Sequence, residues 1–351
     1  RVIEYNYEEK TKTFIIDLQG GFFMGKTLKK FLTVAGVAAA GAAVLGIAAY
    51  ATTKLMVKTA LDREEPEIMK KRRGKISGSE KNEDEFEIEK AEAQKKLLEE
   101  EHETVKIVAH DNVTLVGHYY PVPEPKRVII AFHGWRSSWG ADFGMIADFW
   151  KNSGCSVLYA EQRGQNASGG EHMGFGLTER HDCIEWVNWI NQKTDKKLPI
   201  YLAGVSMGAS TVLMSADSDF PDNVKGIIAD CGFTSPKEIW KYVARHNMHL
   251  YTVGSRLADA ICKKMINVGS GDFSTKDALK NTKIPVLFIH GEDDNFVPVE
   301  MTYENYDVCT SSKSLLIVPG ADHAMSYFVD KDSYERAVRE FFEDFDGTDN
   351  E

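Results

Sequence analysis

The chain has 351 residues, of which 43% are hydrophobic and 27% charged, and its formal net charge is −11. That length holds one large α/β domain of roughly 200 to 250 residues with segments to spare, and the acidic balance argues against a nucleic-acid partner. Cys155, Cys183, Cys231, Cys262 and Cys309 are scattered, odd in number and free of any C-x-x-C pair, which points to buried reduced thiols rather than a disulfide framework or a zinc ribbon.

The chain begins with Arg1, and "QGG" at 19–21 precedes Met24. Gln-Gly-Gly can be encoded by the purine-rich run of a bacterial ribosome-binding site, and Met24 opens a short basic stretch with Lys26, Lys29 and Lys30. Residues 1–23 are therefore expected to be a translated leader, or else a hydrophilic tail, with Met24 as the start. From 31 to 53 the chain is uncharged, "FLTVAGVAAAGAAVLGIAAYATT". About 20 such residues cross a bilayer, and the run lacks the polar face of a soluble helix. Residues 24–58 are expected to be a single-pass signal anchor in the cell membrane. "AAYA" would permit cleavage after Ala51, but the run is longer than a usual signal-peptide core, which favours the anchor. Lys26, Lys29 and Lys30 favour an inside N-terminus and an extracytoplasmic domain. Lys54, Lys58, Lys70, Lys71, Arg72, Arg73 and the cysteines argue the other way, so the side stays open.

Residues 59–103 predict a charged linker followed by a helix. The linker's basic cluster at 70–73 suits either solvent or anionic headgroups. In the helix, Phe86, Lys90, Ala93 and Leu97 share one face. From 104 to 345 short apolar runs alternate with amphipathic stretches. "TVKIVA" and "TLVGHYY" predict a hairpin. "RVIIAFHG", "CSVLYAEQRG", "PIYLAGVS", "VKGIIADCG", "IPVLFIHGEDD" and "SLLIVPGADH" predict buried strands, with helices at 141–152, 178–192, 207–216, 299–308 and 331–343. This alternation implies a mostly parallel sheet covered on both faces. Residues 346–351 are read as a tail.

Gly204-Val205-Ser206-Met207-Gly208 is G-x-S-x-G at a strand-to-helix junction. Such a sharp turn exposes the serine Oγ, and side chains in place of Gly204 and Gly208 would collide with the neighbouring strand and helix. A serine hydroxyl needs a general base and an orienting acid. His323, in the small-residue loop after the last strand, is the candidate base. Asp293 and Asp294, at the end of the preceding strand, are candidate acids, and Asp230 is a third. His133 and His290 are read as turn residues. His246 and His249 are three apart on one helix face without ligand-spaced partners, so no metal site is expected. An oxyanion calls for two preorganised donors, and the N–H of Met207 is one.

"HGWRSS", "EQRGQNASGG", "GVSMGAS", "IIADCGFTS", "HGEDDNFVP" and "GADH" fall in one order along the chain. Together they resemble the α/β-hydrolase superfamily, in its bacterial serine aminopeptidase-like and esterase-like branch with an N-terminal membrane segment. The resemblance covers about residues 104 to 345. It implies an α/β-hydrolase fold with a mostly parallel eight-stranded sheet and a small helical cap at about 234–283. The family pattern H-G-x-x-D-x-x-V-P selects Asp294 over Asp293, which gives the order Ser206, Asp294, His323. The resemblance also makes the N–H of Trp135 the second oxyanion donor. In the cap, Trp240, Tyr242, Met248, Tyr251, Leu257, Met265 and Phe273 either line an acyl site or seal the cap. Glu161 stands where relatives often carry Asp. The implied activity is a serine carboxylesterase or lipase acting on small acyl substrates, with neither metal nor organic cofactor. A peptidase is the alternative, with Glu161, Glu171 and Glu179 as the carboxylates available to hold a substrate amine. A non-catalytic, membrane-tethered interaction protein on the same scaffold is the third reading.

Overall fold

In the computed structural model, residues 26–64, 83–249 and 255–347 are described. The expected leader at 1–23, the basic cluster at 70–73 and Tyr251 lie outside them. The chain divides into two compact units, Arg1–Ala48 and Ala49–Glu351. The described part of the first is helical and belongs to α1 (Lys26–Leu61), which contains the whole of the apolar run 31–53. By length and composition this helix is apolar enough to cross a membrane, over Val44–Leu61 among the residues tested.

In the second unit, α2 (Glu83–Glu99) precedes the antiparallel hairpin β1 (Glu103–Val108) and β2 (Thr114–Tyr120). Then follow β3 (Arg127–Phe132), α3 (Trp139–Asn152), β4 (Cys155–Glu161), α4 (Glu179–Thr194), β5 (Ile200–Val205), α5 (Met207–Met214) and β6 (Val224–Asp230). The cap comes next, with α6 (Pro236–Tyr242), a π turn at Val243–Asn247, α7 (Ser255–Ile266) and α8 (Thr275–Leu279). The chain ends with β7 (Val286–Gly291), α9 (Glu300–Val308), β8 (Lys313–Val318), α10 (Ser326–Val329) and α11 (Lys331–Phe345).

The eight strands form one sheet in the order β1-β2-β4-β3-β5-β6-β7-β8, and all pairs from β4 to β8 are parallel. Every residue of β3, β4, β6 and β7 is buried, because helices cover both faces and leave no polar side to alternate. On one face α3 and α11 bury Phe143, Ile146, Phe149, Trp150, Tyr334, Val338, Phe341 and Phe342. On the other, α4 and α5 bury Cys183, Trp186, Val187, Ile190, Val212 and Leu213. Local signals start the covering helices. Ser138 Oγ accepts from the N–H of Ala141 ahead of α3, and Ser235 from Glu238 ahead of α6, where Pro236 opens the helix. Phe86 and Leu97, on the expected apolar face of α2, are buried.

The chain reverses direction across the sheet between β3 and β5. β3 connects to β4 on one side, and the chain then returns to pair β5 on the other. In open α/β sheets the crevice at such a switch point, beyond the carboxyl ends of the strands, is where ligands bind. The loops after β3, β5, β7 and β8 all emerge at that end.

Candidate active site

Ser206 sits between β5 and α5 with φ of 55° and ψ of −115°, a conformation that L side chains rarely adopt. The turn is this tight because Gly204 and Gly208 carry no side chains. A Cβ on Gly204 would overlap the backbone of Gly208, and one on Gly208 would overlap the carbonyl of Phe132. The turn is tied to the sheet where Ser206 N donates to Asp230 O at 2.9 Å. Local geometry therefore fixes where Oγ points.

His323, on the loop after β8, places Nε2 at 2.9 Å from Ser206 Oγ and Nδ1 at 2.7 Å from Asp294 Oδ2. Nδ1–H donating to the carboxylate leaves Nε2 to accept the serine proton. Asp294 is buried on the loop after β7 and accepts on both oxygens. Oδ1 takes the N–H of Phe296 and of Val297, each at 2.8 Å. Oδ2 also meets His290 Nε2 at 3.1 Å. Burial pushes the Asp294 carboxyl up, but His323 and His290 outweigh it and hold the group well below the usual carboxylate range. Burial alone would keep the His323 ring neutral, yet the Asp294 carboxylate raises its pKa well above 6.5.

Of the candidate acids, only Asp294 meets His323 within hydrogen-bond distance among the described residues. Asp293 is exposed. Asp230 is buried, accepts from Ser326 Oγ at 3.2 Å, and is pushed up to about 6 by burial. The ligating atoms of Cys231, Asp294 and His323 lie within 4.8 Å of one another. The 2.7 Å Asp294–His323 contact is a hydrogen bond, whereas two ligands on a tetrahedral zinc stand about 3.3 Å apart. Burial pushes the Cys231 thiol up to about 11, so it sits beside the ring as a neutral group.

The turn after β3 supplies the other wall. Gly134 N donates to Asp142 Oδ2 at 2.6 Å, Ser137 Oγ donates to Asp142 Oδ1 at 2.6 Å, and Arg136 N donates to Gln165 Oε1 at 2.6 Å. The N–H between them, that of Trp135, and the N–H of Met207 make no hydrogen bond among the described residues. Above the turn lies an apolar cluster. It includes buried Phe175, Met207, Phe233 and Val297 and partly buried Trp135, Trp240, Tyr242, Met265, Phe273 and Phe296.

Four supporting residues escape a reading of the sequence: His290, Thr302, Asp142 and Gln165. His290 looks like a strand-end turn residue, yet it is fully buried. Its Nδ1 meets Thr302 Oγ1 at 2.6 Å, and its Nε2–H points at Asp294 and at Val297 O. Only the four-residue spacing from His290 to Asp294 hints at this. Asp142 and Gln165 carry no sequence signal. The carboxylates Glu161, Glu171 and Glu179 are otherwise occupied or exposed. Glu161 pairs with His118 at 2.8 Å, Glu179 accepts from Gly174 N at 2.6 Å and Gly176 N at 2.9 Å, and Glu171 is exposed.

The sheet, the elbow and the loops at its end define the α/β-hydrolase fold. The serine aminopeptidase S33 family matches residues 123–265, and the TAP-like protein family matches residues 251–348. The chain is 31% identical to the uncharacterized protein YqkD of Bacillus subtilis (strain 168) over 191 residues, 54% of this chain and 63% of that one. It is 27% identical to the lysophosphatidylserine lipase ABHD12 of Danio rerio, again over 191 residues, 54% of this chain and 48% of that one. The match thus spans less than two thirds of either relative. Among solved structures, the Pyrococcus furiosus esterase Pf2001 shares the fold with a TM-score of 0.58 at 24% identity, covering 72% of this chain and 94% of that one.

Proposed function

We propose that the chain is a serine hydrolase that cleaves carboxylic esters, or thioesters, through an acyl-enzyme. The observation that carries this reading is the hydrogen-bonded series from Ser206 Oγ to His323 to Asp294, with two unengaged N–H groups beside it. Ser206 Oγ bonds to the substrate carbonyl carbon while its proton passes to His323 Nε2. The carbonyl electrons move onto oxygen, where the N–H groups of Met207 and Trp135 receive the charge. Collapse breaks the bond to the leaving oxygen or sulfur, which takes the proton from His323. Water then repeats the sequence and frees the acid and Ser206. Asp294 keeps Nδ1 protonated and stabilises the imidazolium. The chain's own residues supply every group in this sequence.

The aromatic cluster over the elbow suits an acyl group, and a lipase and an esterase stand among the similar proteins. The apolar helix supports a single-pass membrane anchor through 31–53, which retention of the protein in carbonate-washed membranes would test. A second reading, a peptidase, rests on one observation. A cleft of about 460 Å³ beside Tyr242 and Asp294 is lined by Glu292, Asp293, Glu300 and Asp322, a setting for a substrate amine. Turnover of p-nitrophenyl esters of graded chain length, set beside aminoacyl p-nitroanilides, separates the two. Ester turnover that vanishes in Ser206→Ala is the expected result. Faster anilide turnover favours the peptidase, and no turnover of either favours the scaffold reading.

A further inference from the structure

The last four carbonyls of a helix have no partner within it and must find one elsewhere. In α1 these are the carbonyls of Lys58, Thr59, Ala60 and Leu61. Lys58 O takes the N–H of Asp62 at 2.8 Å, and Leu61 O takes the N–H of Met173 at 2.7 Å. The two between them go to consecutive side chains of the turn after β3. Ala60 O accepts from Trp135 Nε1 at 2.9 Å, and Thr59 O from the Arg136 guanidinium at 2.9 Å. That guanidinium also reaches Asp62 O at 2.6 Å and Arg63 O at 3.0 Å, a cation at the negative end of a helix.

The grip is mutual. Arg63 donates to Ser168 O at 2.6 Å, Gly170 O at 3.2 Å and Asn166 O, and its N–H meets Glu171 O at 2.9 Å. Val57 and Leu61 are buried in the apolar cluster that also holds Met207. The helix end therefore spans the loops after β3 and β4. Asp142 and Gln165 hold the Trp135 turn from one side, and the helix end holds it through the Trp135 and Arg136 side chains.

We propose that the last turn of α1 and the residues just after it, 59–63, are a working part of the active site, and that Arg136 and Arg63 are positioning residues. Through them the helix end fixes the direction of the Trp135 N–H. The proposal rests on the serine-hydrolase reading, since it assigns that N–H to the oxyanion. It separates the helix into a part that tethers and an end that shapes turnover.

The test uses the full chain in detergent micelles with p-nitrophenyl butyrate as substrate. Removing an oxyanion donor outright costs about 10²- to 10³-fold in kcat, so misdirecting one should cost about ten- to a hundred-fold. In Arg136→Ala, kcat should fall by that factor with KM nearly unchanged. The affinity for an alkylboronic acid, whose tetrahedral adduct carries the oxyanion, should fall in step with kcat/KM. The acid limb of the pH profile should stay in place, because the His323 side is untouched. Arg136→Lys, which keeps a charged donor, should recover part of the loss. Should Arg136→Ala fail to fold, Arg63→Ala loosens the same helix end from the 166–170 loop and should show a smaller loss with the same signature. Wild-type kcat in the folded Ala variants would overturn the proposal, as would a loss that moves KM or the acid limb instead of boronate affinity. Failure of the hydrolase reading looks different: the wild type itself would not turn over, and the proposal would fall with it.

Discussion

The two walls of the active site are built in different ways. The wall that carries Ser206, Asp294 and His323 comes from turns at the ends of β5, β7 and β8, held by short local contacts and by the backbone of neighbouring strands. Gly204 and Gly208 set the serine, and the N–H groups of Phe296 and Val297 set the acid two and three residues earlier in the chain. The Trp135 wall is held from a distance. Asp142 from α3, Gln165 from the loop after β4 and the carbonyls at 59–63 all converge on it. The first wall is inherited from the sheet, whereas the second is assembled by polar contacts that link separate parts of the chain. The second should therefore be the more easily disturbed without loss of the fold.

The largest effects should come from breaking the first wall. Ser206→Ala should lower kcat by about a million-fold, as loss of the nucleophile does in other serine hydrolases. Turnover of p-nitrophenyl esters beside an unchanged circular dichroism spectrum measures this. Asp294→Asn should cost about 10⁴-fold in kcat by favouring the wrong tautomer of His323. It should also move the pH profile. The base must be neutral, and Asp294 raises the His323 pKa above 6.5, so wild-type activity should decline as pH falls through that raised value. With the negative charge removed, the decline should shift to lower pH. An unmoved acid limb in Asp294→Asn would mean that another group sets it.

Breaking the second wall should cost less. Asp142→Ala frees the Gly134 N–H and loosens the turn, and a fall in kcat of about ten- to a hundred-fold is expected, below the full loss of an oxyanion donor. A fall as large as that of Asp294→Asn would erase the distinction between the walls. Leu61→Ala is expected to act mainly on stability. Leu61 is fully buried, and deleting such a side chain costs about 2 to 5 kcal/mol. Thermal or urea unfolding would show whether the helix end belongs to the cooperative unit, and an unchanged midpoint would show that it does not.

The same contrast decides what could be read from the sequence. The apolar runs of β3, β4, β6 and β7 are legible because a strand buried on both faces has no polar alternation. The elbow is legible because G-x-S-x-G is a local steric requirement. Asp294 and His323 stand out by their places at strand ends, with the acid selected over Asp293 by family resemblance and over Asp230 only by the contact with His323 in the structure. Thr302 and Gln165 are not legible, because each acts on a partner that only the fold brings near, and His290 and Asp142 act over shorter spacings that no local steric requirement marks. Glu161 and Glu179 look available in the sequence and are occupied in the structure, by His118 and by the N–H groups of Gly174 and Gly176. The end of α1 continues the pattern of a membrane helix in sequence, and only the partners of its terminal carbonyls tie it to the Trp135 turn.

The most direct test of the central claim is to label the full chain with a fluorophosphonate at alkaline pH, where the His323 ring is neutral, and locate the adduct by mass spectrometry of the digested protein. An activated Ser206 predicts a single adduct on the peptide that contains it, strong loss of labelling in Asp294→Asn, and none in Ser206→Ala. A folded wild-type protein that takes no label, or takes it on another residue, would contradict the account.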